Sequence, residues 1–256
     1  MILEQRTTII SHQRIAPRTF LLSLASPRMA ASARPGQFIH LKPSGPGPVL
    51  LRRPFSINRV RGNCISVMYR VVGGGTSHLS SLPQGAELDV LGPLGKGFKI
   101  GNKYSEHVIL AGGMGLAPMQ FLSDRLRSLK LKAKLFYGCS GKKELLPCLV
   151  PGKVIATDDG SCGYKGFVTD AFLSSIGKFA KPAVYACGPW PMLKRTALIC
   201  RQHNIDCQVS LESFMACGVG ACQGCVVKGV QGYLTVCHQG PVFDSREIDW
   251  EQEAAL

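Results

Sequence analysis

EHVILAGGMGLAP, residues 106–118, is the stretch on which the fold turns. An apolar strand runs into Gly112, Gly113 and Gly115, and a helix begins near Pro118. Glycine lets the backbone close on an anion, and a helix N-terminus favours negative charge, so this is a phosphate-cradling turn. It departs from the dinucleotide fingerprint. Pro118 stands where the third glycine of G-x-G-x-x-G belongs, and no acid closes the next strand to meet a ribose. Downstream come AKLFYG (133–138), KVIATDD (153–159), VTDAFLSSI (168–176), AVYACGP (183–189) and a helix from Pro191 to His203. Strand and helix alternate there as in a parallel sheet flanked by helices, an α/β domain over 102–208.

Upstream the texture is different. TTIISH, TFLLSL, QFIHLK, FSINRV, CISVMYRV and ELDVLG are short strands parted by Pro35-Gly36, Pro43 to Pro48, Gly62-Asn63 and Gly73 to Gly75. Regular short strands between turn formers predict a small antiparallel β-barrel, all-β, over 1–101. From 209 to 256 the chain forms a glycine- and cysteine-rich appendix that ends in an acidic tail. No repeat or low-complexity tract interrupts the three stretches.

The appendix carries the most specific signal. Cys217, four residues, Cys222, two residues, Cys225, eleven residues and Cys237 reproduce the plant-type [2Fe-2S] order, with three ligands in one loop and a fourth on a later strand. Gly218, Gly220, Ala221 and Gly224 leave room for the loop to wrap closely and to aim N–H groups at sulfur. A structural zinc site usually pairs two C-x2-4-C knuckles, and only Cys222 with Cys225 forms one here. Unliganded thiols would leave this density of cysteine and glycine without a purpose. Cys64, Cys139, Cys148, Cys162, Cys200 and Cys207 are spread out and read as packing residues.

Composition narrows the rest. In 256 residues, 45% of them hydrophobic, there is material for two compact domains and an appendix. No apolar run approaches the roughly 18–20 residues of a membrane span, and the N-terminus lacks signal-peptide order, so a cytoplasmic protein is expected. Eleven cysteines then read as reduced thiols. The net charge of +14 is scattered and not interleaved with aromatics. That pattern argues against a base-stacking surface for nucleic acid, and a docking surface for an acidic partner protein explains the charge equally well. No Ser-His-Asp set, HExxH segment or Walker loop is present, and His12, His40, His78, His107, His203 and His238 read as solvated or core histidines.

Two further segments suit phosphate. Arg53-Pro54-Phe55-Ser56 offers a charged fork and a hydroxyl, and Met68-Tyr69-Arg70 is followed by Gly73-Gly74-Gly75-Thr76 before a short helix. On residues alone, solvated arginines and a plain glycine turn explain these equally well. The order RPFSI, YRVVGGGT, LGPLGKGF, AGGMGLAP, ACGP and the cysteine loop resembles the ferredoxin-reductase superfamily over nearly the whole chain. Within it, MACGVGACQGC with VCHQGPVF resembles the electron-transfer subunits of NAD-dependent dihydroorotate dehydrogenase.

The resemblance implies FAD held by Arg53, Pro54, Phe55, Ser56, Met68, Tyr69, Arg70, Gly75 and Thr76. Arg53 would face the pyrophosphate, Ser56 the ring and Tyr69 its flank, with Thr76 capping the helix. It implies NAD at Gly112, Gly113, Gly115, Cys187, Gly188 and Pro189, although Cys187 also reads as a buried residue before a helix-starting proline. Ser140, Lys142 and Lys143 are suited to a 2'-phosphate, which leaves NADP open. The implied partner is an FMN-containing dihydroorotate dehydrogenase catalytic subunit, two copies of each forming a heterotetramer. Electrons from dihydroorotate, a step of pyrimidine biosynthesis, would pass through the cluster and FAD to NAD+, and this chain would be an oxidoreductase subunit without catalytic residues for dihydroorotate. A reductase subunit for another acceptor, such as a ferredoxin, hydrogenase or sulfide-type partner, fits much of the pattern, and a zinc-bearing nucleic-acid binder fits the charge and cysteines but not RPFS or GGMGLAP.

Overall fold

The computed structural model describes residues 2–43, 50–148 and 150–251. Most of the turn expected from Pro43 to Pro48, and the end of the acidic tail, lie outside the described residues. The first unit is a closed six-stranded barrel of β1 (Leu3–Ala16), β2 (Thr19–Ala25), β3 (Phe38–Pro43), β4 (Arg53–Arg61), β5 (Cys64–Arg70) and β6 (Glu87–Leu94), in the order β1-β2-β5-β4-β3-β6. Helices α1 (Pro27–Ser32) and α2 (Gly74–Ser81) are inserted between strands. Every neighbouring pair is antiparallel.

Side chains alternate across each strand. Ile39 and Leu41 of β3, with Ile65, Val67 and Tyr69 of β5, therefore fill the barrel. Phe38 points the other way and joins a core shared with the second domain and the cysteine-rich region, including Val108, Val236 and Phe243.

The second unit runs β7 (Glu106–Gly112), α3 (Leu116–Ser128), β8 (Ala133–Cys139), β9 (Val154–Thr157), β10 (Tyr164–Lys165), α4 (Val168–Leu173), β11 (Pro182–Cys187), α5 (Trp190–Gln202) and β12 (Asp206–Ser210). Its strands are parallel in the order β10-β9-β8-β7-β11-β12. All seven residues of β7 are buried, as a central parallel strand covered on both faces requires. Helix α3 turns Leu116, Met119, Leu122 and Leu126 into the sheet. It also grips the barrel: Asn58 of β4 donates to the Ala117 carbonyl at 2.9 Å.

The cysteine-rich region contributes a hairpin of β13 (Val226–Gly229) and β14 (Gly232–Thr235), then β15 (Val242–Asp244). Strand β15 pairs antiparallel with β12 and becomes the last strand of the second domain's sheet. Among the described residues no helix is long and apolar enough to cross a membrane.

Candidate functional site

Three groups of residues marked in the sequence come together around the junction of the units. The first lies on the barrel. A Cβ on Gly75 would stand 2.7 Å from Arg53 Nε, so the guanidinium lies directly over the first turn of α2. The N–H groups of such a turn have no intrahelical acceptor, and Arg53 adds a fixed positive fork beside them, so the pair fits a pyrophosphate. Thr76 spends its hydroxyl on the turn itself, accepting from Val72 N at 2.9 Å and Gly73 N at 3.2 Å and donating to the Gly73 carbonyl at 3.0 Å.

Tyr69 does not face the cleft. Its ring is inside the barrel, stacked on Phe20 at 5.7 Å, edge-on to Phe55 at 5.6 Å, with its OH 2.9 Å from His12 Nε2. Burial pushes its phenol pKa up. Its neighbours on β5 point outward: Met68 packs against the second domain's core, and Arg70 pairs with Glu144 at 2.8 Å across the gap between the units. Pro54 and Ser56 share the outer barrel face with residues of β3, opposite His40 and Phe38 respectively.

The second group is the turn after β7 against the turn after β11. A Cβ on Gly115 would meet the Cys187 carbonyl oxygen at 2.2 Å, and one on Gly188 would meet Gly112 Cα at 3.0 Å. Gly112, Gly113, Gly115, Gly188 and Pro189 thus form one surface, backbone against backbone. This surface floors two adjoining cavities. One, about 750 Å³, extends over the ends of β8 and β9 past Ser140, Asp158, Asp170 and Arg195. The other, about 290 Å³, reaches toward the barrel between Arg70, Trp190 and Glu212. Cys187 is buried, and burial keeps its thiol protonated at neutral pH.

Two residues here escaped sequence reasoning. Glu144 lines the larger cavity and holds Arg70. Glu212, just beyond β12, is an exposed side chain on the wall of the smaller cavity, and desolvation by the surrounding protein raises its carboxyl pKa. Of the residues suited to a 2'-phosphate, Ser140 lines the larger cavity, whereas three carboxylates (Glu144, Asp158 and Asp170) line it and neither Lys142 nor Lys143 does.

The third group is the cysteine loop. Cys217 Sγ accepts from Val219 N at 3.5 Å and Cys222 N at 3.4 Å. Cys237 Sγ accepts from Gly220 N at 3.2 Å, and Cys225 Sγ from Cys237 N at 3.4 Å. Backbone donors link the cysteines in two sets, Cys222 N to Cys217 Sγ and Cys237 N to Cys225 Sγ. Desolvation opposes ionisation of Cys217, yet the surrounding N–H groups outweigh it and hold its pKa at about 6. Among the described residues no three metal-ligating side chains gather as one ion would need. Backbone N–H groups directed at the sulfurs of Cys217, Cys225 and Cys237 suit thiolate ligands of an iron–sulfur centre.

Comparison with known proteins agrees with this geometry. Residues 212–249 match the family described as the iron-sulfur cluster binding domain of dihydroorotate dehydrogenase B. A relative from Desulforamulus reducens, the electron transfer subunit of dihydroorotate dehydrogenase B (NAD(+)), is 35% identical over 95% of this chain and 97% of its own. The namesake from Geobacillus thermodenitrificans is 38% identical over 97% and 99%. Among solved structures, a chain of NADH-dependent reduced ferredoxin-NADP oxidoreductase superposes with a TM-score of 0.85 at 29% identity, covering 96% of this chain and 90% of its own. Phthalate dioxygenase reductase shares the fold, with a TM-score of 0.64 at 20% identity over 91% of this chain and 77% of its own. Barrel, parallel sheet and cysteine appendix define an oxidoreductase of the ferredoxin-reductase type. Within that class, the chain belongs to the family of dihydroorotate dehydrogenase B (NAD+) electron transfer subunits.

Proposed function

We propose that this chain moves electrons from a dihydroorotate-oxidising catalytic subunit to NAD+, carrying FAD and a [2Fe-2S] cluster as resident groups. The observation that carries the reading is the set of backbone N–H groups aimed at three of the four cysteine sulfurs, Cys217, Cys225 and Cys237, on a reductase fold. When bound, the flavin exchanges a hydride with the nicotinamide and single electrons with the cluster. The chain's own residues bind and orient.

In this reading Cys217, Cys222, Cys225 and Cys237 hold the irons. Arg53 and the first turn of α2 neutralise the flavin pyrophosphate, while Pro54, Ser56, Met68 and Arg70 border the ring. Phe55 and Tyr69 act from behind, as packing that fixes β4 and β5. The backbone surface of Gly112, Gly113, Gly115, Gly188 and Pro189 receives the dinucleotide, and Cys187 stays an un-ionised thiol beside it. Glu144 and Asp170 are paired with Arg70 and Arg195, so Asp158 is the carboxylate of the larger cavity that favours ribose hydroxyls over a 2'-phosphate by charge repulsion.

The partner reading is a heterotetramer with two FMN-bearing catalytic subunits, in the cytoplasm, and free cysteines suit that compartment. Two features support docking near the cysteine loop. Phe214 and Tyr233, both in the cysteine-rich region, are more than 70% exposed and offer apolar surface to a partner. A groove of about 990 Å³ beside Val219 and His238 carries Arg34, Lys96, Lys99 and Arg125, which suits an acidic partner.

The test is anaerobic purification with counts of iron, sulfide and flavin, for the native chain and for Cys222→Ser. The native protein should hold two irons, two sulfides and one FAD, about 1 FAD per chain. Cys222→Ser should lose the cluster's visible absorption and keep FAD. Zinc in place of iron, or an iron-free and flavin-free native chain after reconstitution, would end the reading.

A further inference from the structure

His40 sits on β3, between β4 and β6 and directly opposite Pro54 of the flavin-bordering segment. Its ring is fully buried, and both ring nitrogens lack a hydrogen-bond partner. That is unusual for an imidazole in a core, because a buried polar atom without a partner loses its hydration for nothing. Alternation along β3 turns Ile39 and Leu41 into the barrel and leaves His40 on the face that the cysteine-rich region covers. There it meets the loop itself. A Cβ on Gly218 would lie 2.8 Å from both Cε1 and Nδ1 of His40 and 3.1 Å from Nε2, so the ring lies flat on this glycine. Gly218 has φ +72° and directly follows Cys217. No other residue type offers both that conformation and that clearance.

The ring is also chemically defined. Burial, and secondarily the Arg52 charge, hold its pKa at about 4. At neutral pH it is therefore an uncharged imidazole with one N–H donor and one acceptor. Arg52 itself is committed to Glu4 and Asp89. Next along the loop, the N–H groups of Val219 and Gly220 already point at Cys217 and Cys237 sulfur. The orphaned imidazole thus lies against a loop whose neighbouring donors serve sulfur, between the strand Arg53–Arg61 and the cysteine loop.

We infer that His40 is a positioning residue for the iron–sulfur centre: it braces Gly218 from the barrel and gives its N–H to the sulfur of the bound cluster. The inference rests on the assignment of the cluster to Cys217, Cys222, Cys225 and Cys237. An N–H directed at sulfur stabilises the more negative, reduced state, so removing it moves the midpoint to lower potential. A residue that merely fills space would leave the midpoint where it is.

The experiment is a redox titration of the holoprotein, followed by EPR of the reduced cluster, for the native chain, His40→Leu and His40→Gln. His40→Leu should keep its iron and FAD, shift the cluster midpoint negative and alter the g-values, while His40→Gln, which retains an N–H, should stay close to the native values. An unchanged midpoint in iron-replete His40→Leu, or an equal shift in both variants, overturns the inference and leaves the cysteine assignment intact. A native chain without a cluster overturns that assignment instead. Should His40→Leu fail to fold, pulsed EPR of otherwise native protein with ¹⁵N-histidine decides the matter, in a His238→Gln background because His238 packs against Gly220. A weak imidazole nitrogen coupling supports the inference, and its absence overturns it.

Discussion

Glu212 places a carboxylate where the smaller cavity narrows between Arg70, Gly188 and Trp190. The side chain is exposed to the cavity, and desolvation by the walls around it lifts its pKa above the ordinary value of about 4.3. The sign of the resulting pH effect is fixed. A carboxyl whose folded-state pKa is raised contributes fully to stability below its unfolded pKa, and that contribution is lost as pH rises through the folded value. In flavin-free protein Glu212→Gln should therefore raise the thermal midpoint at about pH 8 and change it much less near pH 5. Calorimetry at the two pH values checks this, and an equal or opposite response would mean the carboxylate is not desolvated. Nothing in the sequence distinguishes Glu212 from any other acid after a strand, because only the fold places it on the wall of this cavity. Tyr69 is the converse. Ile65, Val67 and Tyr69 recur at every second residue, and that period alone puts its ring inside the barrel with the other two.

Among the elements, the turns after β7 and β11 press backbone against backbone. A methyl group on Gly115 would press into the Cys187 carbonyl. Gly115→Ala should cost about 1–3 kcal/mol of stability by overpacking. It should also weaken NAD binding while FAD stays bound, as denaturant melts and nucleotide titrations would show. Unaffected NAD affinity would remove this surface from the nucleotide site. The barrel strands and the strand–helix alternation were legible because each element carries its own period and is bounded by Gly or Pro. Helix α1, six residues long, and β15, three residues, carry too little periodicity to be read. The cysteine spacing was legible as a ligand set, whereas the role of His40 depends on a cross-strand register and a neighbouring glycine that no local pattern reveals.

At the scale of the whole molecule, 30 Lys and Arg residues against 16 Asp and Glu leave a charge of +14. Screening shortens the reach of such a field to about 10 Å at 0.1 M salt. Association with an acidic catalytic subunit should thus slow steeply as salt rises, with dissociation changing much less. Stopped-flow or surface-binding kinetics at several salt concentrations measure both, and a salt-independent association rate would place the charge away from the interface.

The strand Val242–Asp244 gives the appendix a second duty. Left bare, the outer rim of Asp206–Ser210 would present a ladder of unsatisfied amides and carbonyls, a template for indiscriminate chain-to-chain addition. The segment that follows the last thiol covers that rim, so losing it would endanger solubility as well as redox chemistry.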